Sequence, residues 1–396
     1  MNINEITYWV TLAAMPKMYT RRKNELYVNC YIHVPQYSII DLFERREIRH
    51  ELGVTPEEEL LFIEAYQHLA NNAFMVEDLL NQGYDILPLT SPDYPKSLKC
   101  NLKKSAPCVL YVKGDKRLLN SDSTAIVGSR NANATSLAFT INIAQKAINE
   151  NKIVVSGFAK GVDRQALDAA IQAHGKSIIV LPQGITTFAS GYRQYYQQIY
   201  KGQVTVISTF HPKAPWSKEL AMARNSIIYG LSSEIYAAES DSKGGTWSGV
   251  TEGLKKGQKI YVRVPNEDEI NANVKLIQKG AIGVDMFGNV LSDFSKKSSE
   301  TSEKSICSGP VYKKISRLDK EITGECLKAR LLKLLSSKKS SKQILEELKL
   351  EWSDTRIKKF LRSLPEVGEE KKSNKILFFK IDCAEPSLFS DHLGIK

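Results

Sequence analysis

Apolar residues recur along this chain with two spacings, and the changes between them mark its regions. Up to about residue 85 the spacing is helical. There Thr55 stands where an N-cap belongs, ahead of PEEELLFIEAY, and the glutamates of that first turn suit the positive end of a helix dipole. From residue 86 to 294 short β-rich runs alternate with amphipathic stretches, the rhythm of βαβ units in a parallel sheet. TAIVGS (124–129), KIVVSG (152–157), SIIVLPQG (177–184) and EIYAAE (234–239) are apolar nearly throughout, as strands buried on both faces must be. KIYVRVP (259–265) adds a fifth run behind the helix-like SGVTEGLKKG. The pattern predicts an α/β fold: a Rossmann-like, mostly parallel sheet flanked by helices over 86–294, preceded by an N-terminal helical domain over 1–85.

Periodicity lapses in the polar, Ser-rich SKKSSETSEKS, so 295–322 reads as a linker. Helical spacing returns at Leu327, Leu331, Leu332 and Leu335. Ser340 or Ser341 can start QILEELKL, and Ser353 or Asp354 can start TRIKKFLRSL. KILFFKI (375–381) reads as a strand after the polar turn GEEKKSN. Three short helices followed by a hairpin make 323–383 a winged-helix-like domain, with 384–396 as a tail.

Composition narrows the function classes. Hydrophobic residues at 42% and charged residues at 25% are globular values, and 396 residues fit about two or three domains. No run of about 18 apolar residues occurs, which removes membrane-spanning helices. The first segment, MNINEITYWVTLAAM, carries Glu5 without a basic leader and reads as an amphipathic helix rather than a secretion signal. Six scattered cysteines without a CxxC pair fit a reduced, cytoplasmic setting and offer no metal-ligand spacing. A net charge of +11 favours polyanionic partners, nucleic acid first.

Four clusters carry candidate chemistry. Gly128, Ser129 and Arg130 follow a buried strand and precede a helix: exposed amides and a hydroxyl can face a phosphate, and the guanidinium adds bidentate charge. SGFAKGVD places Ser156, Gly157, Lys160 and Gly161 at the next strand end, with Asp163 read as a helix cap. Arg224 and Asn225 offer a guanidinium beside an amide, a natural pair for a sugar-phosphate or a base edge. Lys243, Gly244, Gly245 and Thr246 repeat the glycine, hydroxyl and helix-start arrangement. Each cluster alone also fits an ordinary tight turn.

Taken in order, GSR, SGxAxGxD, RN and GGT, each placed at a strand end, resemble the motifs of the DprA/Smf family of DNA-processing proteins. Pro92, Asp93, Tyr94 and Pro95 with Leu98, and the segment from Ala106 to Gly114, look like that family's YPxxL and aPxxLYxxG stretches. The resemblance implies a homodimeric Rossmann-like core whose basic pocket receives single-stranded DNA and helps load RecA, in transformation or recombination, without catalysis or a cofactor. It assigns charge to Arg130, Lys160 and Arg224 and pocket shape to Gly128, Ser129, Ser156, Gly157, Gly161, Asn225, Gly244 and Thr246. The chain departs from the family at Leu167, where a histidine is usual, at Ala221 and Met222, which replace an aromatic and a proline, and at Ser226, which replaces an arginine. A lost aromatic removes a stacking platform worth about 1–3 kcal/mol. Phe158, Phe210 or Trp216 could supply another.

Residues 323–383 hold +6 of the net charge. On TRIKKFLRSL, Ile357, Phe360, Leu361 and Leu364 form an apolar stripe, with Arg356, Lys358, Lys359 and Arg362 off it. That face could meet duplex phosphates or simply be solvated on a protein-interaction domain. Two other function classes stay open. One is a nucleotide-handling enzyme resembling the Rossmann-like phosphoribohydrolases with their PGGxGTxxE signature, for which Glu239 or Glu252 could serve as the carboxylate. The other is a small-ligand sensor in phage defence.

Overall fold

The computed structural model describes residues 2–32, 36–267, 269–291, 334–335, 337–347, 354–362, 367–372 and 375–380. The chain divides into two compact units, Met1–Thr301 and Ser302–Lys396. The expected linker, the tail and most of the first C-terminal helix lie outside the described residues.

The first unit opens with six helices: α1 (Ile3–Ala14), α2 (Thr20–Ile32), α3 (Ile39–Glu44), α4 (Arg46–Glu51), α5 (Pro56–Gln67) and α6 (Leu69–Asn81). Thr55 caps α5 in a reciprocal capping box with Glu58, behind Pro56 at the first helical position. A sheet of nine strands follows. Its strands are β1 (Asp85–Pro88), β2 (Val109–Lys113), β3 (Ser123–Val127), β4 (Ile153–Ser156), β5 (Ser177–Val180), β6 (Val204–Ser208), β7 (Glu234–Ala237), β8 (Ile260–Arg263) and β9 (Ile282–Val284). Between them run α7 (Lys96–Leu102), α8 (Ala134–Asn149), α9 (Val162–Gln172), α10 (Ala189–Tyr200), α11 (Lys218–Leu231), α12 (Gly245–Lys255) and α13 (Asn273–Gln278).

The sheet order is β1-β2-β6-β5-β4-β3-β7-β8-β9. From β6 to β9 all neighbours are parallel, and β2 and β1 close one edge antiparallel. Alternate strand residues serve opposite faces. Ile178 and Val180 join Val155, Ile207 and the apolar side of α11 in one core, whereas Ile179 faces the other way. The α/β expectation is thereby borne out. The winding reverses between β3 and β7, which pair directly with Val127 opposite Ala237. In doubly wound sheets a ligand crevice opens at such a reversal, beyond the carboxyl ends of the strands.

Two features differ from the sequence reading. The N-terminal helices share one core with the sheet: Trp9, Leu12, Leu26, Leu42 and Phe62 cluster with Tyr111, Ile179 and Val206. Residue 85 therefore separates elements rather than cores. The Arg224–Asn225 cluster sits inside α11 and not at a strand end, because the apolar run after it is a helix buried on its sheet-facing side.

The second unit contains β10 (Lys339–Ser340), α14 (Ser341–Glu347), α15 (Asp354–Arg362), β11 (Val367–Lys372) and β12 (Lys375–Lys380). The strands form an antiparallel sheet in the order β10-β12-β11, over a small core of Leu335, Ile344, Ile357, Leu361 and Phe378. Most of GEEKKSN is strand here rather than turn, since ladder pairing with β12 outweighs its polar composition. A winged-helix reading needs a third helix, and its place in 324–333 lies outside the described residues.

Candidate nucleic-acid interface

A cavity of about 390 Å³ opens at the reversal point. Gly128, Ser129 and Arg130 line it from the end of β3, Lys243 to Thr246 from beyond β7, and Arg224 and Asn225 from α11. Three of the four predicted clusters thus meet at one opening. The second cluster reaches it through Ala159 and Asp163. Lys160 is exposed on its turn and does not line the cavity, while Ser156 is buried with its hydroxyl donating to the carbonyl of Ile126 at 2.8 Å.

Glycines set how closely these segments approach. A Cβ on Gly157 would fall 1.2 Å from Nη1 of Arg224, so the guanidinium lies directly over that backbone. Gly161, at φ +76°, lets its turn press against the carbonyls of Ser129 and Arg130, where a Cβ would stand 2.4 Å from the Ser129 oxygen. The amide of Val162 donates to the same Ser129 carbonyl at 3.3 Å, tying the first two clusters together.

Below them lies a buried ion pair. Arg224, 4% exposed, donates to the Val180 carbonyl at 3.1 Å and stands 3.8 Å from the Asp163 carboxylate. Asp163 is not the helix cap that its position suggests. Its carboxylate accepts from the Gly157 amide at 3.1 Å, because the turn folds that N–H inward. Burial raises the Asp163 pKa, opposed by the charge of Arg224. Burial likewise lowers that of Arg224, opposed by Asp163, and the nearby Arg130 charge lowers it further. Among the lining residues Arg130, Lys218, Arg224 and Lys243 stand against Asp163 and the exposed Asp241, which leaves a positive surplus in the cavity.

The rim adds side chains that local motifs did not reveal. Trp216 and Lys218 line the cavity from the loop before α11 and its first residue. Trp216 is 51% exposed, and the Arg130 guanidinium lies 5.9 Å from its ring centre. Of the three candidate aromatics only Trp216 reaches the cavity. Phe158 packs edge-on against Phe188 and Tyr195 beneath Arg164. Ala221 and Met222 line the wall where the family has its aromatic and proline. The helix α12 begins behind Gly244, at φ +101°, with no side-chain cap, so its first amides are available to an anion at the positive end of the dipole.

The carboxylates nominated for catalysis are engaged elsewhere. Glu239 accepts from the Asn133 amide at 3.1 Å and the Ser136 hydroxyl at 2.7 Å, and Glu252 pairs with Lys256 at 2.6 Å. Among the described residues no group of three ligating side chains could hold a metal ion, and no helix is long and apolar enough to cross a membrane.

A family model described as DNA recombination-mediator protein A matches residues 85–295, more than half of the chain. The chain belongs to that family. As a DprA/Smf member it is a DNA-processing protein. It is 26% identical over 227 residues to the DNA processing protein DprA of Bacillus subtilis, covering 56% of this chain and 75% of that relative. With DprA of Streptococcus pneumoniae it shares 31% over 192 residues, 48% of this chain and 67% of the relative. The X-ray structure of the Streptococcus pneumoniae DprA superimposes with a TM-score of 0.59 at 24% identity, covering 70% of this chain and 94% of that one, a likeness that bears on the fold. The matched span holds every residue of the cavity, while the six N-terminal helices and the second unit fall almost wholly outside it.

Proposed function

We propose that the cavity receives the backbone of single-stranded DNA, and that the protein shields the strand and assists RecA loading in transformation or recombination, as a homodimer. The observation that carries this reading is the charge balance at the sheet reversal. Arg224 is paired with Asp163 beneath the cavity, Arg130, Lys218 and Lys243 line it without an ion pair against one further carboxylate, the exposed Asp241, and the uncapped amides of α12 face the same space. A phosphate would complete that balance, with Arg130, Lys218 and Lys243 as direct contacts and Arg224 holding the floor. Trp216 is the platform for a base, in place of the family's missing aromatic. Ser156, Gly157 and Gly161 shape the turns below, and Lys160 meets the strand outside the cavity.

The enzymatic alternative gains nothing from Glu239, held at the start of α8, or from Glu252, and neither lines the cavity. The test is a titration of labelled single strand, duplex and free nucleotide across a range of salt. Single strand is expected to bind most tightly, with log K falling by about 0.7 per neutralised phosphate for each decade of salt. Preference for free nucleotide would move the reading to a ligand sensor. Absence of strand retention at low salt would refute it.

A further inference from the structure

A second basic surface lies at the opposite edge of the sheet, near the amino ends of β5 and β6 and the carboxyl end of antiparallel β2. A shallow depression of about 590 Å³ there is lined by Lys113, Arg117, Lys176 and Lys201, with Asp115 the one carboxylate among its lining residues. Arg117 occupies that carboxylate with hydrogen bonds of 2.8 and 2.9 Å, and Lys113 donates to the carbonyls of Gln82 and Gly83. Lys176 and Lys201 are exposed, and neither is in an ion pair among the described residues.

Tyr200 also lines the depression and is 79% exposed. It stacks on Tyr196, which is 61% exposed, with ring centres 6.2 Å apart and planes at 15°. Two large rings standing in water on one face of α10 bury little of their apolar area, so the core does not explain them. Arg193 is exposed on α10 just before the kink at Tyr195. The result is a stripe of two near-parallel rings beside lysines, with Arg193 close by in the chain.

We propose that this stripe is a second contact for single-stranded nucleic acid. Tyr196 and Tyr200 offer π-faces to unstacked bases, while Arg193, Lys176 and Lys201 meet the phosphates between them. Only an unpaired strand presents both groups at once. A duplex hides its base faces, and an acidic peptide lacks the regular alternation of planar ring and charge. The contact stands apart from the cavity and does not depend on it.

The full chain, Tyr196→Ala/Tyr200→Ala and Lys176→Gln/Lys201→Gln are titrated by fluorescence anisotropy with labelled oligothymidylates of about 6 and about 40 nucleotides. The long strand should lose about fivefold to tenfold in affinity in the tyrosine variant. Its salt slope should fall by about 1.4 in the lysine variant, for two phosphates released. Short-strand binding and melting temperature should stay as in the unaltered protein. Unchanged long-strand affinity and slope in both variants overturn the proposal, including the case in which the stripe serves a protein partner. If the tyrosine variant melts early, the lysine variant decides, and an unchanged slope counts against the stripe. Should the unaltered protein bind the long strand but not the short one, the cavity reading fails. The stripe then stands if the tyrosine variant loses the long strand, and falls if it does not.

Discussion

Two regions of this chain are rich in lysine and arginine, and they use that charge differently. Around the cavity Arg130, Lys218 and Lys243 form no ion pair among the described residues. Among the described side chains of the second unit Lys338 meets Glu370, Lys339 meets Glu347, Lys358 meets Asp354 and Arg362 meets Glu369, with Lys342 outside any ion pair. The cause is local. On α15 a carboxylate stands four residues from its lysine, an ordinary helical pair, whereas at the cavity Asp163 is taken by Arg224 and a backbone amide, Glu239 by the start of α8, and the exposed Asp241 of the lining is in no ion pair with the three cations. Net charge thus measures composition, while a polyanion site needs cations that lack partners and are held by a fixed backbone.

The comparison can be broken most forcefully at the buried pair. Replacing Arg224 with Met should cost about 3–5 kcal/mol in urea denaturation, because Asp163 is left buried without its counter-charge. The Asp163 pKa, already raised by burial, should rise further. The folded state then binds more protons than the unfolded chain just above the ordinary carboxylate range, so stability falls as pH climbs through that window. Wild-type stability across this range would show that the pair does not hold the floor. Gly157→Ala forces the guanidinium aside and should cost about 1–3 kcal/mol, with strand affinity lost in parallel. An alanine tolerated without change in either would contradict the close approach.

The rim should behave in the opposite way. Arg130→Ala is expected to leave stability within about 0.5 kcal/mol while weakening single-strand binding about tenfold and lowering the salt slope by about 0.7. Unfolding, or normal binding, would sink its assignment. Trp216→Ala should cost about 1 kcal/mol of binding with little change in salt slope, because stacking releases no counterion. Smallest of all, Lys358→Ala should leave both melting temperature and single-strand affinity unchanged, since an exposed helical pair contributes little. A clear loss of affinity there would erase the contrast between the two regions.

How far the sequence reveals these features depends on whether local rules decide them. Strands β3, β4, β5, β7 and β8 were legible because burial on both faces imposes unbroken apolar runs. The same uniformity hid α11. Ile227, Ile228, Tyr229 and Leu231 are all buried, so the helical period disappears and Arg224 reads as belonging to a strand end. Asp163 stands where caps stand, and only folding shows its carboxylate turned back to Gly157. Trp216 and Lys218 reach the cavity through space from a loop with no pattern of its own. The Gly128 and Gly244 clusters nonetheless meet at one opening, because glycine-bearing turns beside a sheet reversal have few other places to go, and α11 carries Arg224 and Asn225 to the same place.

The core shared by the N-terminal helices and the sheet has a practical consequence for dissecting the molecule. Cutting at residue 85 would not liberate an autonomous DNA-binding module. It would strip the cover from Tyr111, Ile179, Val204 and Val206 and leave a raw oily face in water, prone to self-association. The helices, whatever else they engage, act as the lid that keeps the nucleic-acid half of the protein in solution.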